Sequence, residues 1–242
     1  MSDCCKTGFN WDGQPTGKET TLANKKAYVT GTDKNAAVLI VHDVFGWTFQ
    51  NVRLLADHYA KEANATVYLP DFFDGEVVAP ETLEDPEKRK SFNLPEFLGR
   101  NSKDKRYPEI LACAKALKAE YPKVGAIGFC YGGWAVFQLG ADPGFLSCIS
   151  TAHPSLLTKE EIDKIAVPTQ ILAPETDPAF TPELKEYSNK VIPQRGVPYA
   201  YEYFPGLVHG FAAKGNVNDA KQKEGMERAK RAAVNWFNEF LH

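Results

Sequence analysis

A cysteine flanked by glycines is the strongest chemical signal in this sequence. Cys130 lies in the segment Gly-Phe-Cys-Tyr-Gly-Gly, with Gly128 two residues before it and Gly132 two residues after it. The apolar run VGAIGF precedes the cysteine, and the helix-like segment WAVFQLGA follows the glycines. A nucleophile on a sharp turn from strand to helix needs small neighbours, because larger side chains would collide where the backbone folds back. We therefore predict that Cys130 is a nucleophile.

The predicted turn also brings the sulfur close to the N-terminus of a helix. The partial positive charge at that end favours the thiolate, which is the attacking form of cysteine. A buried structural cysteine beside a glycine-rich turn is the alternative. Glycines at both required positions, between a strand and a helix, favour the nucleophile.

A cysteine that transfers acyl groups needs a base and a third group that orients the base. His209 and Asp177 are the candidates. In enzymes with such a turn the chain order is nucleophile, acid, histidine, and the last two follow later strands. Here Asp177 follows the apolar run TQILA, and His209 follows the run YAYEYF. Both the order and the placement after strands match.

Other residues compete for these two roles. Glu175 is an alternative acid, but Asp177 stands further beyond the end of its strand. Among the histidines, His58 lies inside a predicted helix, His242 is terminal, and His153 precedes a proline with no suitable acid after it. We expect these three to be surface or packing residues.

A tetrahedral intermediate also needs two backbone donors for its oxyanion. One comes from the residue after the nucleophile and one from a loop after an earlier strand. These positions are Tyr131 and Val44. Aromatic residues near the same loops are candidates to line an apolar substrate site, although core packing explains each of them equally well: Phe45, Trp47 and Phe211.

The composition predicts one domain that acts on a small molecule. The chain has 242 residues, 43% of them apolar and 12% aromatic, which allows a large core in a single α/β domain, 1–242. Lys and Arg number 28 against 31 Asp and Glu, a net charge of −3. No basic field would attract phosphates, so nucleic acid is not an expected partner. No pattern specifies the oligomeric state.

Cysteine usage and hydropathy predict a cytoplasmic protein. No apolar run approaches the roughly 18 residues of a membrane span, and none near the N-terminus resembles a signal peptide. The five cysteines are an odd number spread over a long chain, which is unlike a disulfide framework: Cys4, Cys5, Cys113, Cys130 and Cys148. Metal-ligand spacings and nucleotide-binding glycine patterns are missing, so we expect no metal and no cofactor.

Strand-length apolar runs alternate with helix-period segments, which predicts a mostly parallel sheet flanked by helices on both faces. We expect an edge strand at 25–31 and further strands at 36–42, 66–70, 124–129, 146–152, 169–173 and 199–204. Apolar residues at helical spacing predict helices around 52–63, 110–121 and 218–241.

Two segments stand outside this alternation. Residues 1–21 read as an N-terminal arm. Residues 72–105 are dense in Pro, Asp, Glu and Lys, and such long insertions are often lids over a site, although a plain surface loop is equally consistent.

The segments HDVFGW, GFCYGG and VHGF, together with the aspartate loop, resemble the dienelactone hydrolase family, including its carboxymethylenebutenolidase-like members. The resemblance runs from about residue 22 to the end. It implies an α/β-hydrolase fold and cleavage of a small ester or lactone through a thioacyl-enzyme. At the matching positions it implies Cys130, Asp177 and His209 as the triad, with Tyr131 and Val44 as oxyanion donors.

The sequence departs from the dienelactone-opening enzymes at two places. Their first loop carries a glutamate that holds the resting thiol, and the matching residue here is Asp43, one methylene shorter. They also hold the substrate carboxylate with two arginines. Here Ala213, with Lys214 beside it, replaces one of them, and Arg89 in the predicted lid is a weak match for the other. Because lysine cannot reproduce arginine's forked pairing, neutral substrates are also expected.

Two other kinds of function compete with this one. A non-catalytic small-molecule binding protein on the same fold is the first alternative, because fold does not fix function. Peptide cleavage or thiol redox chemistry is the second, and it lacks a resolving cysteine near Cys130. An intact set of three triad residues favours the hydrolase.

Overall fold

A computed structural model describes residues 13–79, 82, 86–214 and 219–242. Within these residues eight strands form one sheet. They are β1 (Lys18–Leu22), β2 (Lys25–Thr30), β3 (Ala36–Val41), β4 (Thr66–Pro70), β5 (Lys123–Phe129), β6 (Cys148–Ala152), β7 (Thr169–Thr176) and β8 (Tyr199–Val208).

The strands follow the order β1-β2-β4-β3-β5-β6-β7-β8. Strand β2 pairs antiparallel with both of its neighbours, and all the pairs from β4 to β8 are parallel. The carboxyl ends of the parallel strands therefore meet at one edge of the sheet, where ligands bind in open α/β sheets.

Helices cover both faces of the sheet. They are α1 (Gln50–Glu62), α2 (Pro86–Ser91), α3 (Leu94–Arg100), α4 (Lys103–Glu120), α5 (Gly132–Leu139), α6 (Lys159–Asp163), α7 (Pro182–Val191) and α8 (Ala220–Leu241), with a 3₁₀ turn at Ile192–Arg195. Buried residues of α1 and α8 share one hydrophobic cluster, and those of α4 and α5 belong to another on the opposite face.

The strand at the amino end differs from expectation. The structure begins a strand at Lys18, inside the segment 1–21 expected to be an arm, and this strand pairs with β2. A strand is found at Lys25–Thr30, as predicted for residues 25–31, but its predicted position at the edge of the sheet is wrong. In β1 only Leu22 is buried, so the strand has too few apolar residues to reveal itself by its pattern.

The segment 72–105 is not an open loop in its described part. It contains α2 and α3, and α4 begins before its predicted end. The ring of Phe73 packs edge-on against Phe97 and Tyr131, at centroid distances of 5.1 and 4.9 Å. The segment thus packs directly against the turn that carries Cys130.

Candidate active site

Cys130 stands at the end of β5 in a left-handed backbone conformation, with φ at 47°. The neighbouring glycines make this turn possible. A Cβ on Gly128 would lie 2.2 Å from the carbonyl oxygen of Gly132, and one on Gly132 would lie 2.0 Å from that of Val41. Real side chains do not tolerate such distances, so both positions require glycine. Helix α5 begins two residues after the cysteine.

Strand register brings Asp177 and His209 together. Thr176 pairs with Val208, and these are the last residues of the neighbouring parallel strands β7 and β8. Asp177 and His209, the next residue after each strand, therefore lie at the same level of the sheet edge. Nδ1 of His209 lies 2.8 Å from Oδ1 of Asp177. The same carboxylate oxygen accepts the backbone N–H groups of Ala179 and Phe180, which fix its orientation.

The surroundings of His209 favour the imidazolium. Burial opposes its charge, yet the hydrogen bond to Asp177 and the nearby Cys130 side chain outweigh burial and raise the pKa of His209 to about 10. Burial acts on Asp177 as well, but the bond to His209 holds the pKa of that carboxyl below its ordinary value. The imidazole of His209 therefore stays protonated when the sulfur of Cys130 is negatively charged.

Ser155, a residue not expected from the sequence, touches both sulfur and imidazole. Its Oγ lies 3.4 Å from Sγ of Cys130 and 3.5 Å from Nε2 of His209. The serine follows β6, the strand between the one that carries the cysteine and β7. This adjacency becomes visible only once the order of the strands in the sheet is known.

His153 is the second residue that the sequence did not connect with this site. It is fully buried, and its ring lies against His209 and Phe211 at centroid distances of 5.0 and 5.7 Å. Neither ring nitrogen has a hydrogen-bond partner among the described residues. Burial and the neighbouring His209 lower the pKa of His153 well below its ordinary value. It is therefore a neutral packing residue beside the site.

Tyr131 and Val44 both contact the segment 72–105. The Tyr131 hydroxyl donates to the carbonyl oxygen of Asn101 at 2.6 Å. The carbonyl oxygen of Val44 accepts the N–H of Val78 at 3.0 Å. Within the described part of the chain, the backbone N–H groups of Tyr131 and Val44 have no hydrogen-bond acceptor of their own.

Asp43 is buried beneath the loop that follows β3. Its carboxylate accepts the backbone N–H of Phe45 at 2.9 Å. Burial raises the pKa of Asp43 to about 7, although the charges of His209 and Lys214 oppose this. The carboxyl group therefore responds to the same charges as the site, although no described hydrogen bond joins it to Sγ of Cys130.

The candidate substrate contacts are divided between the site and the core. The Lys214 ammonium group lies 5.7 Å from the centre of the Phe45 ring. The Trp47 ring instead lies under the Arg53 guanidinium, at 4.8 Å, within the core. Phe211 packs beneath His153. Arg89 lies on α2, and its side chain falls outside the described part of the structure.

The competing residues take other roles. The Glu175 carboxylate accepts the backbone N–H of Gly206. His58 pairs with Glu62 along α1 at 2.6 Å, and the ring of His242 contacts a backbone carbonyl at the end of α1. Among the described residues, no hydrogen bond joins any of these three groups to Cys130 or His209.

Three cysteines are described, Cys113, Cys130 and Cys148, and all are unpaired; Cys4 and Cys5 lie outside the described residues. In the same part of the chain, no group of three or more His, Cys, Asp or Glu side chains could hold a metal ion. None of the described helices is both long enough and apolar enough to cross a membrane.

Comparison with known proteins identifies the relatives of this chain. The profile of the dienelactone hydrolase family matches residues 25–241. Hydrolase tropI of Talaromyces stipitatus is 31% identical over 247 residues, covering 98% of this chain and 96% of that protein. The human carboxymethylenebutenolidase homolog is 28% identical over 250 residues, with 98% and 96% covered. The crystal structure of dienelactone hydrolase from Anabaena variabilis superposes with a TM-score of 0.65 at 14% identity, covering 95% of this chain and 99% of that one.

The chain belongs to the dienelactone hydrolase family. The expected resemblance and the expected α/β-hydrolase fold are both confirmed. As a member of this family the protein is a carboxylic ester hydrolase.

Proposed function

We propose that Cys130, His209 and Asp177 form a catalytic triad that cleaves small ester or lactone bonds through a thioacyl-enzyme. The observation that carries the proposal is the 2.8 Å contact between His209 and Asp177 beside a cysteine on a strained turn. The aspartate orients the imidazole and stabilises its positive charge, while the opposite ring nitrogen faces the sulfur.

In the first half-reaction the Cys130 thiolate attacks the ester carbonyl carbon, and a carbon–sulfur bond forms. The carbonyl oxygen becomes negative and accepts the backbone N–H groups of Tyr131 and Val44. When the ester carbon–oxygen bond breaks, Nε2 of His209 gives its proton to the leaving alkoxide. A lactone ring opens in the same step, and its alcohol end remains attached to the acyl group.

In the second half-reaction the neutral imidazole of His209 takes a proton from water. The resulting hydroxide attacks the thioester carbon, and the same two N–H groups hold the oxyanion. Collapse releases the carboxylic acid and restores the thiolate beside the imidazolium. The raised pKa of His209 supports this cycle because it keeps the imidazolium available to the leaving group.

Asp43 is the proposed modulator of the thiol. With its pKa near 7, its charge changes around neutral pH, and this charge acts on His209. A negative Asp43 stabilises the imidazolium, whereas a protonated one does not. Its influence on Cys130 is therefore exerted through the imidazole.

The substrate proposal is a small ester or lactone that includes neutral members. Lys214 offers one point charge above Phe45, and Ala213 cannot pair with a carboxylate. An acidic lactone would pair with Lys214, and Arg89 stays a predicted second cation of the lid. Trp47 and Phe211 support the site from the core, since both are buried.

The test is a panel of acidic and neutral esters and lactones, assayed with wild type, Cys130→Ala and the matched control Cys148→Ala. We expect turnover to disappear only in the Cys130 variant, and mass spectrometry to find an acyl adduct on Cys130 in quenched wild-type reactions. Ligand binding with no turnover in wild type would instead support the non-catalytic binding protein. The cytoplasmic location stays a prediction, which imaging of the tagged protein would check.

A further inference from the structure

Ser155 lies between Cys130 and His209, the two groups of the proposed triad that must become a thiolate and an imidazolium before the first attack. Its hydroxyl is within 3.4 Å of Sγ of Cys130 and 3.5 Å of Nε2 of His209. The 3.5 Å contact with His209 is long for a hydrogen bond. Catalytic hydrogen bonds are often long in the absence of substrate and shorten when substrate binds. We infer that Ser155 relays the proton between sulfur and imidazole, an inference that rests on the proposed function.

The backbone ties Ser155 to the nucleophile. Its N–H donates to the carbonyl oxygen of Cys130 at 2.8 Å. On either side, His153 and Leu156 have left-handed backbone conformations, with φ at 41° and 59°. Such values are uncommon outside glycine and persist only where the surroundings enforce them. The turn 153–156 is therefore held in a strained shape that presents the serine to the sulfur.

Gly133 allows this turn to approach the helix that follows the cysteine. A Cβ at Gly133 would lie 2.3 Å from Cβ of Pro154 and 2.6 Å from its Cα. The strand-to-helix turn itself needs only Gly128 and Gly132, so the second glycine of the pair has a separate purpose. It removes the side chain that would push Pro154, and with it Ser155, away from the site.

The hydroxyl can serve both protonation states. With a thiol and a neutral imidazole, S–H of Cys130 donates to Oγ of Ser155, and O–H of the serine donates to Nε2 of His209. When the S–H bond breaks, its proton forms a new O–H bond, and the former hydroxyl proton forms the N–H bond. The serine ends as a hydroxyl that accepts from the imidazolium and donates to the thiolate. One proton has moved, and nothing has been oxidised or reduced.

The test compares two variants of equal shape, Ser155→Thr and Ser155→Val, which differ in one hydroxyl against one methyl. The rate of alkylation of Cys130 by iodoacetamide is measured from pH 5 to 10 by mass spectrometry of its peptide, and kcat/KM is measured for the best ester. Ser155→Ala is the third variant. Ser188→Ala is the matched control, because that buried hydroxyl on α7 has no partner among the described residues.

We expect the Thr variant to keep the wild-type pH profile. In the Val and Ala variants alkylation at pH 7 should fall about tenfold, as for the loss of one hydrogen bond to a charged group, and its pH profile should move to higher pH. Identical profiles for the Thr and Val variants would overturn the relay and leave Ser155 a structural residue. Because alkylation does not require turnover, the profile still tests Ser155 if Cys130→Ala retains hydrolysis and the proposed function fails.

Discussion

The ring of His153 meets the ring of His209 edge-on, with 5.0 Å between their centres. The two histidines have opposite electrostatic surroundings. The carboxylate of Asp177 raises the pKa of His209, whereas burial and the charge of His209 lower that of His153. The charge on the His209 ring thus helps to keep the His153 ring neutral.

This relationship predicts that His153 acts by packing. His153→Phe retains an aromatic ring of similar size among aromatic neighbours, so we expect kcat/KM close to wild type. His153→Ala leaves a cavity and should lower the free energy of unfolding by about 3 kcal/mol. Denaturant unfolding and ester hydrolysis measure the two effects. A loss of about 100-fold or more in a folded Phe variant would give the imidazole a chemical role.

Asp177→Asn should fold normally and lose up to about 10⁴-fold in kcat, because an amide can neither fix the tautomer of His209 nor stabilise its cation. Steady-state hydrolysis of the best ester is the measurement. Glu175→Gln is the matched control, since that carboxylate binds the backbone of Gly206 rather than the histidine. A large loss of kcat in Glu175→Gln, together with near-normal kcat in Asp177→Asn, would assign the acid role to Glu175.

Titration of the buried Asp43 carboxyl group should make the free energy of unfolding depend on pH. Its folded pKa of about 7 lies above the ordinary value, so its contribution to stability is fully present below about pH 4, is lost as pH rises through 7, and changes no further above about pH 8. Relative to Asp43→Asn, which keeps an acceptor for the N–H of Phe45, wild type should lose roughly 3 to 4 kcal/mol across this range. Urea unfolding of both proteins from pH 4 to 9 measures the difference. A constant difference would show that the carboxyl group does not titrate in that range.

Cys130 should react fastest with iodoacetamide among the three described cysteines. Burial raises the pKa of Cys113 to about 12 and also raises the pKa of Cys148, and both side chains are buried. Time-resolved peptide mass spectrometry at pH 7 measures the order, with the protein in urea as the control in which all sites react. Faster labelling of Cys113 or Cys148 in the folded protein would contradict the proposed nucleophile.

Lys214 should carry part of the charge selectivity. Its ammonium group lies over Phe45 and acts on Asp43. We expect Lys214→Ala to lower kcat/KM for an acidic lactone by about tenfold, the value of one charge-assisted hydrogen bond, and to leave a matched neutral lactone nearly unchanged. Lys90→Ala, on α2, is a control for the loss of a surface charge. A strong acidic preference that survives in the Lys214 variant would direct attention to Arg89.

The sequence predicted the strands best where both faces of the strand are buried. Strand β4 is found at 66–70 as predicted, and β5 ends at Phe129 as predicted but begins one residue earlier, at Lys123. Uniform apolar runs indicate such strands clearly. Strands β7 and β8 run several residues further than their apolar runs. Their last residues are exposed or carry Pro and Gly, so hydropathy alone stops too early.

The residues of the candidate site were also predicted only in part. Cys130, Asp177 and His209 follow from local motifs and chain order, which a sequence displays directly. Ser155 and His153 were missed because their roles depend on β6 lying between β5 and β7. The order of the strands is a property of the folded sheet. The residues around Ser155 do not indicate that β6 lies between β5 and β7.

The order of the strands in the sheet determines when, during folding, Cys130 becomes reactive. The cysteine follows β5 and the histidine follows β8, with β6 and β7 between them. The sulfur meets its base only when four successive strands, from Lys123 to Val208, have paired, and strand pairings between segments separated in sequence form more slowly than local contacts. An incompletely folded chain therefore holds an ordinary, unassisted thiol. During refolding, fast alkylation of Cys130 should therefore appear only when strands β5 to β8 have paired.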